Sequence, residues 1–204
     1  MIRLFPILLA LLTSLSTASE FRFIAFDFGI PSGSYSIIRD VEEDKPKPVE
    51  IGINRFSERI KLAPGNYRLL DPEAKEAARF SSLEGAEPQL MIVLPDGKDG
   101  IALFPAPDSA KRFGPGDRLL INATPGNIRI MLGERKILLK PGGSSVEKIE
   151  VDASDPRIPV RMFCEDEGAW KIFTSTMWPH DPMMRSIVLI HPPIQGNSFP
   201  RVRS

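Results

Sequence analysis

Residues 157–164 read RIPVRMFC, and apolar side chains occupy every second position of this stretch, at Ile158, Val160, Met162 and Cys164. A period of two is typical of a β-strand that buries one face. The same alternation recurs in three other segments, residues 49–53, 59–62 and 128–132. Three further runs are apolar at successive positions, residues 90–94, 137–139 and 187–190, which predicts central strands covered on both faces.

Turn residues separate these segments and complete an all-β pattern. Pro-Gly pairs stand at residues 64–65, 115–116, 125–126 and 141–142, and an Asp-Gly pair at 96–97. Proline presets φ at the first central turn position, and glycine accepts a positive φ at the second. The pattern offers one short helix, over residues 72–79, with Asp71 as its N-cap and Pro72 at its first position.

The spacing of strands and turns predicts two tandem immunoglobulin-like β-sandwich domains, residues 19–108 and 109–193, with a polar tail at 194–204. The alternative is one larger β-sandwich. An internal duplication is suggested by three pairs of similar blocks: 62–65 with 139–142, 87–104 with 155–173, and 21–28 with 118–124. The final strands, 170–177 and 185–191, are expected to pair with each other.

The first 18 residues, MIRLFPILLALLTSLSTA, have the pattern of a signal peptide. Arg3 provides the positive charge, residues 4–12 form the apolar region, and Ser16 and Ala18 fit the small residues before a cleavage site. The apolar run is roughly half of the ~20 residues needed to span a bilayer, which disfavours a membrane anchor. The sequence therefore predicts cleavage after Ala18, a secreted or periplasmic protein, and no transmembrane segment after cleavage.

Charge and cysteine content exclude several classes of protein. Removing residues 1–18 takes away one charge and leaves 25 Lys+Arg (26 − 1) against 26 Asp+Glu, a formal net charge of −1. A strongly basic nucleic-acid binder is thereby excluded. Cys164 is the only cysteine, so an intrachain disulfide and a multi-cysteine metal site are excluded as well. Its place on an apolar strand face predicts a core thiol with a raised pKa.

The loop at residues 178–184, WPHDPMM, contains the weak candidates for ligand binding: Trp178, His180 and Asp181. By alternation, Trp170 and Trp178 would share one strand face, with Trp170 in the core and Trp178 either buried or open to a sugar. Cys164, His180 and Met183 follow the order of copper ligands, but 15 residues separate the cysteine from the histidine. No metal, cofactor or catalytic residue is therefore predicted.

Three blocks of the second half are similar to an uncharacterised family of exported bacterial all-β (β-sandwich) proteins with no known activity. They are WKIF with the later W, HDP and RS (residues 170–186), GDR with NAT (116–124), and LKPG (139–142). The resemblance implies an exported, non-enzymatic bacterial β-protein, and it transfers no catalytic residue.

The sequence as a whole favours an exported, non-enzymatic protein with a role in protein binding or cell-envelope organisation. The first alternative is a carbohydrate-binding module built around Trp178, and the second is a hydrolase that uses His180 or turn carboxylates. The expected partner is accordingly an unknown protein or a polysaccharide. His191 is expected to be a half-exposed strand end.

Overall fold

A computed structural model describes residues 18–26, 33–41, 44–96, 100–150, 155–192 and 199–203. Within these ranges the chain forms sixteen β-strands and no helix, which confirms the predicted all-β class. No helix of the described residues is long and apolar enough to cross a membrane. The predicted signal peptide lies outside the described residues, except for Ala18.

The strands divide into two sets of eight along the chain. The first set is β1 (Ser19–Ala25), β2 (Gly33–Arg39), β3 (Lys47–Ile51), β4 (Ile60–Leu62), β5 (Gly65–Leu70), β6 (Glu76–Ser82), β7 (Gln89–Asp96) and β8 (Gly100–Pro107). The second set is β9 (Asp117–Asn122), β10 (Ile128–Leu132), β11 (Arg135–Leu139), β12 (Ser144–Lys148), β13 (Arg157–Asp166), β14 (Ala169–Pro179), β15 (Ser186–His191) and β16 (Arg201–Arg203).

Each set folds into two four-stranded sheets. The first set forms an inner N sheet, ordered β4-β1-β7-β8, and an outer N sheet, ordered β3-β2-β5-β6. The second set forms an inner C sheet, ordered β12-β9-β15-β16, and an outer C sheet, ordered β11-β10-β13-β14. The predicted pair of β-sandwiches is thus confirmed. Their strand order differs from the immunoglobulin order ABED and CFG, because the first strand lies between the fourth and the seventh.

The two halves repeat the same topology strand for strand. Adding eight to each strand number of the first half gives the order of both sheets in the second half. The first strand of each half also pairs in parallel with the seventh, through Phe21 with Gln89 and Arg118 with Ser186. Topology therefore supports the predicted internal duplication.

Of the three block matches made from the sequence, one joins equivalent strands. Residues 21–28 and 118–124 cover the equivalent strands β1 and β9. The match of 62–65 with 139–142 is wrong, because these turns join β4 to β5 and β11 to β12. The match of 87–104 with 155–173 is wrong too, since these segments are β7–β8 and β13–β14. Proline-glycine turns look alike whichever strands they connect, so they misplace the register of the repeat.

Three apolar cores separate four stacked sheets. The first core lies between the outer and inner N sheets and includes Phe23, Tyr35 and Leu69. The middle core lies between the two inner sheets, with Ile24 and Ile92 from one and Leu119 and Leu189 from the other. The third core lies between the inner and outer C sheets and includes Leu120, Ile130, Val160 and Val188. The two sandwiches are therefore packed face to face.

Strand position explains which apolar runs are buried on both faces. In residues 90–94 and 187–190 successive side chains enter different cores, which confirms the prediction of central strands. The same prediction for residues 137–139 is wrong. β11 pairs only with β10 and forms an edge of the outer C sheet, so Leu138 remains 57% exposed.

The prediction of a helix over residues 72–79 is wrong. The segment predicted as a helix contains a turn at 72–75 followed by β6. Asp71 Oδ1 accepts hydrogen bonds from the backbone N–H groups of Glu73 and Lys75, both at 2.9 Å, so the residue caps a turn without starting a helix. β6 forms because Phe80 and Ser82 alternate into the first sandwich.

The predicted pairing of the last two long strands is also wrong, because they lie in different sheets. β14 pairs with β13 at the edge of the outer C sheet, whereas β15 lies between β9 and β16 in the inner C sheet. β15 is buried from Ile187 to His191, as a strand between two cores must be, whereas β14 is half exposed. Residues 180–185 therefore cross from one sheet to the other.

Candidate functional site

The crossing at residues 180–185 borders a cavity of about 300 Å³ beside β9, β14 and β15. Its wall contains the three ligand-binding candidates of the sequence, Trp178, His180 and Asp181. Sequence reasoning did not select Arg118, which lines the same wall together with Met184 and Val188. We call this site the Arg118 cavity.

Arg118 is 7% exposed and lies in the second position of β9, a strand buried along its whole length. Its Nε donates a hydrogen bond to Ser186 Oγ at 2.9 Å, and its Nη2 donates to the backbone oxygen of Pro179 at 2.9 Å. Its Nη1 is buried and has no hydrogen-bond partner within the described structure. One guanidinium nitrogen in the cavity wall is thus left unsatisfied.

Arg118 also lacks an ion pair among the described residues. Glu147 lies directly opposite it in the β12–β9 ladder, but the Glu147 carboxylate is paired with Arg135 at 2.6 Å. Burial lowers the pKa of the Arg118 guanidinium from its ordinary value. The group still carries its charge at physiological pH, because arginine is not deprotonated in proteins. The positive charge of Arg118 therefore has no ion-pair partner among the described residues, although the Asp181 carboxylate lines the same cavity.

Trp178 holds this guanidinium in place. The Arg118 Cζ lies 4.7 Å from the centre of the indole ring, a cation–π contact. Trp178 is partly buried and packs against the third core. The guanidinium covers one face of the indole, so that face is not free to stack on a sugar.

The two tryptophans do not share a strand face, contrary to the sequence prediction. A register shift in the β13–β14 ladder pairs Met162 with Thr174 but Phe163 with Ile172, so Phe173 is an extra residue that reverses the alternation. Trp170 consequently sits beneath the guanidinium of Arg129, 4.0 Å from Cζ to the ring centre, outside the third core. The placement of Trp170 in the core is wrong for the same reason.

His180 and Asp181 are held by the backbone of their own loop and its neighbour. The His180 N–H donates to the backbone oxygen of Pro156 at 2.7 Å. Asp181 Oδ1 accepts a hydrogen bond from the Met183 N–H at 2.8 Å, which makes it a turn-forming carboxylate. Among the described hydrogen bonds, none joins Ser186, His180 and Asp181 to one another. The arrangement is therefore not that of a nucleophile, base and orienting acid.

Gly116 docks the crossing loop onto the turn before β9. Its N–H donates to the backbone oxygen of Met184 at 3.0 Å, and its φ of +78° lies in the left-handed region. A Cβ atom here would lie 3.2 Å from the backbone oxygen of Pro182. Glycine is thus required both by conformation and by space. The Pro-Gly signal at 115–116 marked the turn, but not its contact with the loop.

The copper-like set is not assembled into a site. Cys164 pairs with Lys171 towards one end of the β13–β14 ladder, whereas His180 follows the Arg157–Pro179 pair at the other end. Cys164 lies on the inner face of β13 and packs, partly buried, against the third core. Burial raises the pKa of its thiol, the direction expected from the sequence.

A second surface feature is the outer face of the outer C sheet. Leu138, Ile172 and Met177 are 57%, 49% and 45% exposed there, and Phe163 lies between the first two in the ladder. A depression of about 540 Å³ is lined by Leu138, Phe163 and their neighbours. The equivalent outer N sheet carries polar ladder pairs such as Asn66 with Ser81. The duplicated sheets thus differ in the chemistry of their outer faces.

No protein-family model matches the chain, and no curated protein matches its sequence. Two solved structures similar to it are proteins of the uncharacterised DUF3823 family. The one from Bacteroides ovatus is 12% identical, with a TM-score of 0.25, and the alignment covers 82% of this chain and 98% of that one. The one from Parabacteroides merdae is 10% identical, with a TM-score of 0.28, covering 84% and 99%. At these TM-scores the similarity assigns neither a family nor a function to the chain.

Proposed function

We propose that the protein is an exported, non-enzymatic binding protein, and that the Arg118 cavity is its ligand site. The observation that carries this proposal is a buried, unpaired guanidinium in the wall of a concave, partly aromatic site. Ligand sites are typically cavities with mostly apolar walls and a small number of polar groups. Export to the periplasm or the exterior rests on the signal-peptide pattern of residues 1–18.

Binding fits the site better than hydrolysis does. Asp181 is engaged by the Met183 N–H, and the Ser186 hydroxyl accepts from Arg118, so neither is arranged to activate the other or His180. Carbohydrate binding by stacking on Trp178 is also less favoured, because Arg118 covers an indole face. A small ligand could still be held by the free Nη1 of Arg118 and by the apolar wall of the cavity.

A thermal-shift screen of the chain from residue 19 onward tests the proposal. The screen compares sugars, short peptides, organic acids and nucleotides, and the expected result is that one class raises the melting temperature. Met184→Trp places a bulky ring in the cavity wall and is expected to abolish the shift. Met183→Trp is the matched control, since Met183 is 80% exposed. A shift that survives Met184→Trp, or no shift with any class, would contradict the proposal.

Export is tested separately by expressing the full chain in a bacterial host. Cell fractionation and N-terminal sequencing are expected to recover a protein that begins at Ser19 outside the cytoplasm. Recovery of the intact N-terminus in the cytoplasm would contradict export.

A second candidate function is docking of a protein partner on the outer face of the outer C sheet, favoured by the exposed Leu138 and Ile172. A photo-crosslinking amino acid at position 172 tests it in the native envelope fraction. The matched control places the same probe at position 81, on the polar outer N sheet. Adducts specific to position 172 are expected, and equal labelling at both positions would remove this candidate.

A further inference from the structure

We infer that the Arg118 cavity recognises a carboxylate attached to a small apolar body, which rests on the proposed function of this cavity. The juxtaposition that points to this ligand is a buried arginine with an unpartnered Nη1 that lines the cavity together with the apolar side chains of Trp178, Met184 and Val188. An aliphatic acid presents the complementary groups in the same order, an anionic head and an apolar tail.

The anionic head follows from the charge balance of the site. Arg118 as a residue is only 7% exposed, and a buried guanidinium is costly unless an anion compensates its charge. The described residues give Arg118 a hydroxyl and a carbonyl, both neutral. Glu147, the acid across the ladder, is occupied by Arg135. A carboxylate on the ligand would provide the negative charge that no described residue offers to Arg118.

A single negative charge fits better than the higher charge of a phosphate. Arg118 has one nitrogen without a partner, so the additional charged oxygens of a phosphate would find no further free donor on this side chain. Asp181 also lines the cavity, and its carboxylate repels a dianion more strongly than a monoanion. A monocarboxylate therefore uses the available donor and meets less repulsion than a phosphate does.

The apolar body follows from the rest of the wall and from the volume. Met184, Val188 and the Trp178 ring offer apolar surface, and about 300 Å³ is at the lower end of the range for ligand sites. Nη1 is shielded from solvent, so entry of the acid has to move part of the wall. Met184 lines the wall and is 63% exposed, so its side chain has room to move.

Two sources offer this chemistry: a free aliphatic acid and the C-terminal residue of a peptide chain. Isothermal titration with 4-methylpentanoate and its amide tests the first source. A hexapeptide ending in leucine, with a free or an amidated C-terminus, tests the second. Inorganic phosphate is the probe for anions without an apolar body.

At least one of the two acids is expected to bind at least about tenfold more tightly than its amide, because the amide lacks the charge that the guanidinium requires. Arg118→Gln is expected to remove the preference for the acid over the amide, and Met184→Trp to abolish binding of both. The second variant keeps the test valid if Arg118→Gln does not fold. Binding of only the free acid or only the peptide identifies the source.

Equal binding of acid and amide, or phosphate binding as tight as that of the acids, would overturn the carboxylate inference. Neither of these results would contradict the proposed function, because that function requires only that some ligand binds and that Met184→Trp prevents its binding. If both acids fail while another class of molecule binds in a Met184-dependent manner, the inference falls and the proposed function stands. If no class binds, both fall.

Discussion

Asp108 connects the two sandwiches by charge. Its side chain is 2% exposed and lies just after β8, where it receives the guanidinium groups of three arginines. Arg22 comes from β1 and Arg59 from the segment before β4, whereas Arg185 comes from the crossing loop of the second half. One buried carboxylate thus compensates charges from both halves.

We predict that Asp108→Asn destabilises the protein by about 2–3 kcal/mol. This is less than the loss of about 3–5 kcal/mol for fully buried pairs, because the Arg59 and Arg185 side chains remain 42% and 27% exposed. Urea unfolding gives the free energy of unfolding directly. Asp155→Asn is the control, since its pair with Arg157 is exposed and should contribute nothing measurable. Equal effects of the two substitutions would contradict the role given to Asp108.

His191 is predicted to make stability depend on pH. It is 6% exposed rather than half exposed, and burial, followed by the nearby Arg203 and Arg201, lowers its pKa from 6.5. Between the lowered folded pKa and 6.5 the unfolded chain binds more protons, so stability falls as the pH drops through 6.5. Titration of this one group changes the free energy of unfolding by at most about 1.4 kcal/mol per pH unit. Urea unfolding of His191→Gln between pH 5 and 7.5 should show a shallower slope, and an unchanged slope would exclude His191 as the cause.

At the scale of elements, the crossing loop is predicted to depend on Gly116. Gly116→Ala should cost at least about 2 kcal/mol, because a left-handed φ is strained for alanine and the Cβ meets Pro182. Gly133→Ala is the matched control: its φ is +59° with open space around it, so about 1 kcal/mol is expected. Thermal or urea unfolding measures both. A smaller loss for Gly116→Ala than for Gly133→Ala would contradict the docking role of the loop.

Alternation identified the buried face of strands such as β10 and β13, since period two is a local property that the sequence carries directly. Local patterns could not place β11 at a sheet edge, because edge position depends on which strands pair. The extra residue at Phe173 was hidden for a related reason. A bulge appears only when two strands are aligned, and it moved Trp170 to the opposite face from Trp178.

The candidate site was predictable only in part. Trp178, His180 and Asp181 stood out as an unusual loop, and the structure brings them to one cavity. Arg118 could have been found from a charged residue next to the apolar run at 119–121, a pattern that requires an explanation for a buried charge. Its lack of an acidic partner depends on the distant Arg135, which takes Glu147, and no local pattern reports that competition.

For the whole molecule, the middle core predicts that the first half is not stable as a separate monomer. A fragment of residues 19–108 would leave the outward face of the inner N sheet, with Ile24, Leu90 and Ile92, open to water. A contiguous apolar face of this kind favours self-association. Size-exclusion chromatography should show oligomers, and Ile24→Thr with Ile92→Thr should increase the monomer fraction. A monomeric wild-type fragment that unfolds cooperatively would contradict a dependence of one half on the other.

The middle core can form only after the second half of the chain has been synthesised, because both halves contribute residues to it. Its second wall is built by β9 together with β15, and 84 residues (191 − 107) are added after Pro107, the end of β8, before His191 completes β15. At about 5–20 residues per second, a ribosome takes about 4 to 17 s to make that stretch. A first half that folds during this interval would leave the apolar face of its inner N sheet uncovered. A chaperone that covers this face until β15 emerges would protect the protein at the stage when it is most prone to aggregate.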